Sequence, residues 1–158
     1  MFSVIFPGQG SQSVGMTKEL HDNFAYVKDL FKQADDILGY SISKIVLEGP
    51  KEDLDMTENT QPAIFLASYS IFEMIKKESN FNLSDAKYFA GHSLGEYSAL
   101  STSGSLDFKN AIRLLNQRGK AMQTAVPKGT GGMVAVLGVE INEINYLLEK
   151  KGYTIIKI

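Results

Sequence analysis

The chain has 158 residues, enough for about one domain, with no cysteine, two histidines and a formal net charge of −2. The absence of cysteine excludes disulfides, a thiolate nucleophile and thiolate metal sites. Because the two histidines are far apart in the sequence, a zinc site is also disfavoured, and we expect no metal. A hydrophobic content of 44% and a charged content of 22% indicate a soluble globular protein, and the net charge argues against nucleic acid and membrane as partners. The first six residues lack the features of a signal peptide, so we expect a cytoplasmic protein.

The first segment, Phe2 to Phe6, is apolar and partly β-branched, which predicts a buried strand. Pro7 to Gln12 follows as a glycine-bearing loop whose small residues allow backbone N–H groups to approach a ligand. A dinucleotide fingerprint is disfavoured, because the position of its third glycine is occupied by Ser13.

The segment from Lys18 to Leu38 carries apolar residues at helical spacing and predicts one amphipathic helix with Gly39 at its C-terminal cap. His21 lies off the apolar stripe, so we expect it on the surface in contact with solvent. The stripe predicts core packing and carries no chemistry. Its members are Leu20, Phe24, Val27, Phe31, Ala34 and Leu38.

A turn at Gly49-Pro50 and a polar connection over 51–59 precede the next apolar segment. Gln61-Pro62 opens a predicted helix over Ala63 to Lys77, with the proline in its first turn. This helix is apolar almost all round, which predicts a central, buried position. A polar loop is expected over 80–86.

The stretch Gly91-His92-Ser93-Leu94-Gly95 follows an apolar run and precedes a helix-forming one, Glu96 to Leu100. A sharp strand-to-helix turn would lift Ser93 clear of the sheet as a nucleophile, with glycines at 91 and 95 because no Cβ fits there. The backbone N–H of Leu94 would then face a developing oxyanion. The alternative is a purely structural turn between strand and helix.

Gly104 ends the helix after the turn, and Asp107 caps a second predicted helix that runs to about Ala125. Arg118 lies on the apolar face of this helix, where a guanidinium needs an anionic partner. The residues alone leave two interpretations open. The partner is either a structural Asp or Glu, or the carboxylate of a bound ligand.

The pattern changes after a loop over 127–132, which lacks the Gly-Lys-Ser/Thr of a phosphate loop. Met133 to Leu137 predicts a strand, Ile141 to Leu148 a short amphipathic helix, and Tyr153 to Ile158 a second strand. Because one strand-helix-strand unit leaves sheet edges uncovered, we expect the opening half of a second subdomain.

Four motifs occur here in the order and spacing of malonyl-CoA:acyl-carrier-protein transacylases. They are Pro7-Gly8-Gln9-Gly10-Ser11-Gln12, Thr60-Gln61-Pro62-Ala63, Gly91-His92-Ser93-Leu94-Gly95-Glu96 and Gln117-Arg118-Gly119. The resemblance covers the whole chain. It extends to the acyltransferase domains of polyketide and fatty-acid synthases.

The resemblance implies an α/β fold, with an α/β-hydrolase-like large subdomain beginning in residues 1–126 and a ferredoxin-like small subdomain beginning in 127–158. It implies fatty-acid biosynthesis, with malonyl passing from coenzyme A through Ser93 to the phosphopantetheine thiol of acyl carrier protein. No further cofactor is implied, and the complete enzyme is expected to be a monomer. The N–H groups of Gln9 and Leu94 match the oxyanion hole, and Arg118 matches the residue that binds the malonyl carboxylate.

The chain departs from the family pattern at the general base. That histidine lies C-terminal to the small subdomain in the family, and no histidine follows His92 here. On a tight turn the residue before the nucleophile projects away from its Oγ, so His92 is no substitute. We therefore expect the N-terminal part of a transacylase, with little activity in this chain alone.

Three alternatives share some of these features. A serine esterase of α/β-hydrolase type has the same turn, but one that acts on neutral acyl groups has no need of Arg118. A patatin-type serine-aspartate hydrolase needs a distant Asp-Gly, whereas Asp107 matches a helix cap and no aspartate follows it. A non-catalytic module that binds carrier protein or coenzyme A would keep the turn without its reaction.

Overall fold

A computed structural model describes residues 1–125 and 136–152 of the chain. Contacts divide the chain into two compact units, Met1–Pro127 and Lys128–Ile158. In the first unit, strands β1 (Phe2–Phe6) and β2 (Ala86–Gly91) form a parallel pair, as expected of an α/β protein. Phe6 is paired with Gly91, so the loop after β1 and the turn after β2 begin side by side at the same sheet edge.

The prediction that β1 is a buried strand is wrong for most of its residues. Phe6 is buried against Phe72 and Ala99, but Ile5 is 76% exposed. Side chains alternate across a strand, so one face of the described sheet packs on helices and the other faces outward.

The predicted helix over residues 18–38 is two helices, α1 (Lys18–Asn23) and α2 (Ala25–Leu38), with Phe24 extended between them at φ −120° and ψ 116°. Asn23 Nδ2 donates to the carbonyl of Glu19 at 2.8 Å and competes with the helical hydrogen bonds there. The predicted C-terminal cap is confirmed, because Gly39 ends α2 with a left-handed φ of 75°.

His21 is not the fully solvated residue that its position predicts. Its ring meets the ring of Phe31 edge-on at 5.2 Å, and Nδ1 lies 3.0 Å from Asp22 Oδ1. Hydrogen bonds from His21 and Lys18 lower the pKa of Asp22. The histidine therefore packs at the edge of the core and takes part in a surface interaction.

Helices α3 (Ile42–Glu48), α4 (Lys51–Leu54) and α5 (Thr57–Glu78) follow. The predicted connection over 51–59 is therefore mostly helical, and α5 begins well before Pro62, which lies inside it. The predicted burial of this helix is confirmed. Its buried residues are Asn59, Thr60, Gln61, Pro62, Ala63, Ile64, Phe65, Leu66, Ala67, Ser68, Ser70 and Phe72.

A 3₁₀ turn over Leu83–Asp85 occupies the predicted loop before β2. Helices α6 (Gly95–Thr102) and α7 (Phe108–Ala125) follow the strand. The Asp107 cap is confirmed, because its Oδ1 accepts a hydrogen bond from the Asn110 N–H at 2.9 Å, and this bond lowers the pKa of Asp107.

The main core lies between α2, α3, α5 and α7. It contains Val27, Phe31, Ala34, Ile42, Val46, Leu54, Ala63, Ile64, Phe65, Leu66, Leu94, Ala111, Ile112 and Leu115. Leu94 comes from the turn after β2, so the turn itself is tied into the core by a fully buried side chain.

In the second unit, helix α8 (Ile141–Lys150) confirms the predicted amphipathic helix, and none of its residues is buried. Val136 and Leu137 are not in a strand. The rest of the strand predicted over 133–137, the loop over 127–132 and the strand over 153–158 lie outside the described residues. Within the described ranges, no helix is long and apolar enough to cross a membrane.

Candidate active site

Ser93 lies at the tip of the turn between β2 and α6. Its φ of +55° is left-handed, a conformation that non-glycine residues adopt mainly where the surrounding structure imposes it. The N–H of His92 donates to the carbonyl of Phe6 at 3.2 Å, and the N–H of Gly95 donates to the carbonyl of His92 at 2.9 Å. These bonds hold the turn against the end of β1 and leave Ser93 exposed.

The two glycines of the turn are required by backbone packing, as predicted. A Cβ on Gly91 would lie 2.0 Å from the carbonyl carbon and oxygen of Gly95. A Cβ on Gly95 would lie 2.6 Å from the carbonyl oxygen of Phe6 and 2.7 Å from that of Pro7. Because all these neighbours are backbone atoms, no side-chain rotation relieves the overlap.

Two backbone N–H groups were predicted to face an oxyanion, those of Leu94 and Gln9. Leu94 directly precedes α6, and its N–H has no hydrogen-bond acceptor among the described residues. Gln9 is exposed and follows Gly8, where a Cβ would lie 2.6 Å from His92 Nδ1. The loop after β1 therefore runs directly against the turn that carries Ser93.

Side-chain hydrogen bonds shape the loop that carries Gln9. Ser11 Oγ donates to the carbonyl of Gly8 at 2.9 Å, and Gln12 Oε1 accepts from the N–H of Gly10 at 2.8 Å. Gln12 Nε2 also donates to Asp55 Oδ1 at 2.9 Å. A hydrogen bond from Lys51 and the one from Gln12 both lower the pKa of Asp55. The loop is thereby held at both ends.

Arg118, on α7, brings its guanidinium to the nucleophile. Nη2 donates to Ser93 Oγ at 3.1 Å, and Nη1 donates to Gln61 Oε1 at 2.8 Å. Arg118 is partly buried, and no described carboxylate forms an ion pair with it. A structural Asp or Glu partner, one of the two interpretations that the sequence leaves open, is therefore not among the described residues.

Close packing of α5 against α7 makes the Arg118 contact possible. A Cβ on Gly119 would lie 2.5 Å from Glu58 Cα and 2.6 Å from the carbonyl oxygen of Thr57. Only glycine at this position lets the two backbones approach so closely. Gln61 and Arg118 lie next to this contact on their helices.

A hydrogen bond from Asn116 on α7 also connects the two helices, at the position where Pro62 interrupts the hydrogen bonds of α5. Pro62 has no N–H, so the carbonyl of Glu58 lacks its usual helical donor and instead accepts from Asn116 Nδ2 at 3.1 Å. Asn116 Nδ2 also donates to Tyr40 Oη at 3.1 Å, and the Tyr40 hydroxyl donates to Asn59 Oδ1 at 2.9 Å. Burial and the nearby Glu58 carboxylate raise the pKa of Tyr40 to about 12, so its hydroxyl stays protonated.

Neither histidine of the chain hydrogen-bonds to Ser93. His92 is exposed with its ring beside Gly8, and His21 lies beside Phe31. Within the described residues, Arg118 is the side chain that contacts Ser93 Oγ, and no group of three His, Asp or Glu side chains could hold a metal ion.

The sequence matches a known protein family over most of its length. The family model for the acyl transferase domain matches residues 3–148, which is most of the chain. The chain belongs to the acyl transferase domain family. The resemblance inferred from the four sequence motifs is thereby confirmed.

Relatives and solved structures agree with this assignment. The chain is 49% identical over 139 residues to the malonyl CoA-acyl carrier protein transacylase of Haemophilus influenzae, covering 88% of this chain and 44% of the relative. It superimposes on the corresponding transacylase of Coxiella burnetii with a TM-score of 0.83 at 42% identity, covering 94% of this chain and 46% of that one.

A further solved structure pairs a malonyl-transacylase with its type II polyketide acyl-carrier protein, and it matches with a TM-score of 0.82 at 44% identity. The match covers 94% of this chain and 47% of that one. The chain thus spans about half the length of the relatives that it matches.

Sequence reasoning assigned no role to Gln61, although it lies in one of the quoted motifs. The sequence does contain a signal for this residue. A glutamine in a helix that is apolar on nearly every side is buried, and a buried amide needs hydrogen-bond partners. Gln61 is fully buried and has two partners on α7.

Proposed function

We propose that the protein containing this chain transfers a malonyl group from malonyl-CoA to the phosphopantetheine thiol of acyl carrier protein, as an [acyl-carrier-protein] S-malonyltransferase of fatty-acid biosynthesis. Support comes from the family assignment and from the names of its relatives. The observation that carries the proposal is the position of Arg118, one hydrogen bond from Ser93 Oγ and with no described carboxylate partner.

Arg118 matters because of the shape of the malonyl group. Malonyl carries its carboxylate one methylene away from the thioester carbonyl that a serine attacks. A guanidinium that touches the attacking oxygen is therefore close enough to bind that carboxylate through two charge-assisted hydrogen bonds. A longer diacid would place its carboxylate beyond this position, and a neutral acyl group would leave the guanidinium without an anion.

The reaction consists of two half-reactions, which load the malonyl group onto Ser93 and then transfer it to the carrier protein. Ser93 Oγ attacks the thioester carbonyl and forms a C–O bond, the C–S bond breaks, and the coenzyme A thiol leaves with the proton that serine loses. The phosphopantetheine thiol of the carrier protein then attacks the malonyl ester, a C–S bond forms, the ester C–O bond to Ser93 Oγ breaks, and the thiol proton returns to Ser93 Oγ. Both half-steps pass through a tetrahedral oxyanion.

We assign the oxyanion hole to the backbone N–H groups of Leu94 and Gln9. The N–H of Leu94 at the start of α6 has no acceptor among the described residues, which supports its role, since a helix N-terminus favours negative charge. The packing of Gly8 against His92 supports the role of Gln9. We further propose an α/β-hydrolase-like subdomain over residues 1–126 and the start of a ferredoxin-like one over 127–158.

A serine esterase that acts on neutral acyl groups is less consistent with the site. Such an enzyme gains nothing from a cation at its nucleophile, whereas Arg118 contacts Ser93 directly. A non-catalytic binding module would not need the left-handed backbone at Ser93 or an N–H at Leu94 that lacks an acceptor in the described part of the chain.

The test uses the full product of the gene that encodes this chain. Incubation with malonyl-CoA and intact-mass analysis should show one malonyl adduct, which peptide mapping assigns to Ser93 and which addition of phosphopantetheinylated carrier protein removes. Ser93→Ala should abolish the adduct. Ser103→Ala, which changes an exposed serine at the end of α6, should retain it. The proposal fails if no adduct forms or if it survives Ser93→Ala.

A further inference from the structure

Gln61 is a fully buried polar side chain that contacts two residues of α7. Its Oε1 accepts from Arg118 Nη1 at 2.8 Å, and its Nε2 donates to Met122 Sδ at 3.2 Å. Arg118 and Met122 are four residues apart and so lie one turn apart on the same helix face. The amide of Gln61 therefore spans one turn of α7.

Arg118 and Met122 together determine how the amide is oriented, because a guanidinium can only donate hydrogen bonds. A thioether sulfur accepts hydrogen bonds but carries no N–H or O–H to donate. The NH₂ end of Gln61 must therefore face the sulfur, and its oxygen must face the guanidinium. A guanidinium is planar and rigid, so fixing Nη1 at Gln61 also fixes the direction of Nη2, which points at Ser93 Oγ.

The neutrality of Gln61 is equally important. A glutamate in this position would accept the same hydrogen bond, but it would also form a buried ion pair with Arg118. That pair would neutralise the charge that a substrate carboxylate requires. An amide holds the guanidinium in place and leaves its positive charge available, since no described carboxylate pairs with Arg118.

We propose that Gln61 is a positioning residue that orients Arg118 toward the acyl group on Ser93 and thereby sets the preference for acyl groups with a carboxylate. This inference rests on the proposed function. The alternative is a purely structural role, in which Gln61 only forms hydrogen bonds with polar groups between α5 and α7. That role would affect folded stability, and the transfer of all acyl groups would fall by the same factor.

The experiment compares malonyl-CoA with acetyl-CoA as donors, again with the full gene product. Gln61→Met keeps the length of the side chain but replaces the amide oxygen by a methyl group, and leaves only a weakly accepting sulfur one bond nearer the backbone. We expect kcat/KM for malonyl to fall about tenfold, the usual effect of losing a hydrogen bond to a charged group, and kcat/KM for acetyl to change by less than about twofold. Gln117→Met, which changes an exposed glutamine on α7, should leave both unchanged.

Gln61→Glu tests the charge argument on its own and covers the case in which Gln61→Met does not fold. It keeps the acceptor, so acetyl transfer should stay near the wild-type rate. Malonyl transfer should fall at least as far as in Gln61→Met, mainly through KM, because the new carboxylate competes with the substrate.

The outcomes separate the two proposals. If the wild-type protein forms no malonyl adduct, the proposed function itself fails. If the wild type is active and either Gln61 variant leaves the malonyl-to-acetyl ratio of kcat/KM unchanged, Gln61 is structural and this inference is overturned. A lower ratio in both variants, with an unchanged ratio in Gln117→Met, supports it.

Discussion

The turn that carries Ser93 and the arginine that faces it are held in different ways. The turn is fixed by backbone atoms, since Gly91 and Gly95 pack directly on main-chain carbonyls. Arg118 is fixed by a side chain, Gln61, on a helix distant in sequence. A change in the turn should therefore damage folding and reaction together. A change around Arg118 should first alter which acyl group is accepted.

The largest expected effect comes from Gly91→Ala. The added Cβ would lie 2.0 Å from backbone atoms of Gly95, so the strand and α6 must separate. We expect the free energy of unfolding to fall by about 4 kcal/mol or more, the range of severe core defects, with loss of the malonyl adduct. Urea unfolding and intact mass measure the two effects.

Gly39→Ala is the matched control for this prediction. Gly39 has a positive φ, 75°, which Gly91 does not, and a Cβ on Gly39 would meet nothing within 4 Å. We expect a cost of about 1 kcal/mol, from the left-handed backbone alone, and an intact adduct. Equal stability losses in the two variants would show that the turn does not depend on backbone packing.

A smaller effect is expected on the arginine side, at the contact between Asn116 and Glu58. Asn116→Leu leaves the partly buried Glu58 carbonyl without a donor and should cost about 1–3 kcal/mol. In Pro62→Ala, the alanine N–H can donate to the same carbonyl within α5. Asn116→Leu should therefore cost less in that background, with a coupling energy of about 1 kcal/mol in urea unfolding. Costs that add to within about 0.3 kcal/mol would contradict this account of Pro62.

The two regions also differ in how far the sequence predicts them. The contact between Gly91 and Gly95 lies within the five residues from 91 to 95, so the motif alone predicts this contact and the exposed Ser93. The cap at Asp107 is equally local. Such features depend on neighbouring residues, which a sequence lists side by side.

The arginine site depends on contacts between distant residues. Gln61 and Arg118 are 57 residues apart, and the sequence alone leaves the partner of Arg118 open. The start of α5 is also mispredicted for this reason. A proline is expected in the first turn of a helix, but Asn116 of α7 supplies the hydrogen bond that Pro62 cannot, so α5 extends further toward its N-terminus.

The most direct test of the account is the choice between malonyl-CoA and acetyl-CoA in Arg118→Ala, with Arg113→Ala, an exposed arginine on the same helix, as the control of equal charge. Loss of charge-assisted hydrogen bonds to the malonyl carboxylate should lower the malonyl-to-acetyl ratio of kcat/KM by about 10- to 100-fold. The ratio cancels general losses of folded protein, and Arg113→Ala should leave it unchanged. An unchanged ratio in Arg118→Ala would contradict the claim that this arginine selects the acyl group.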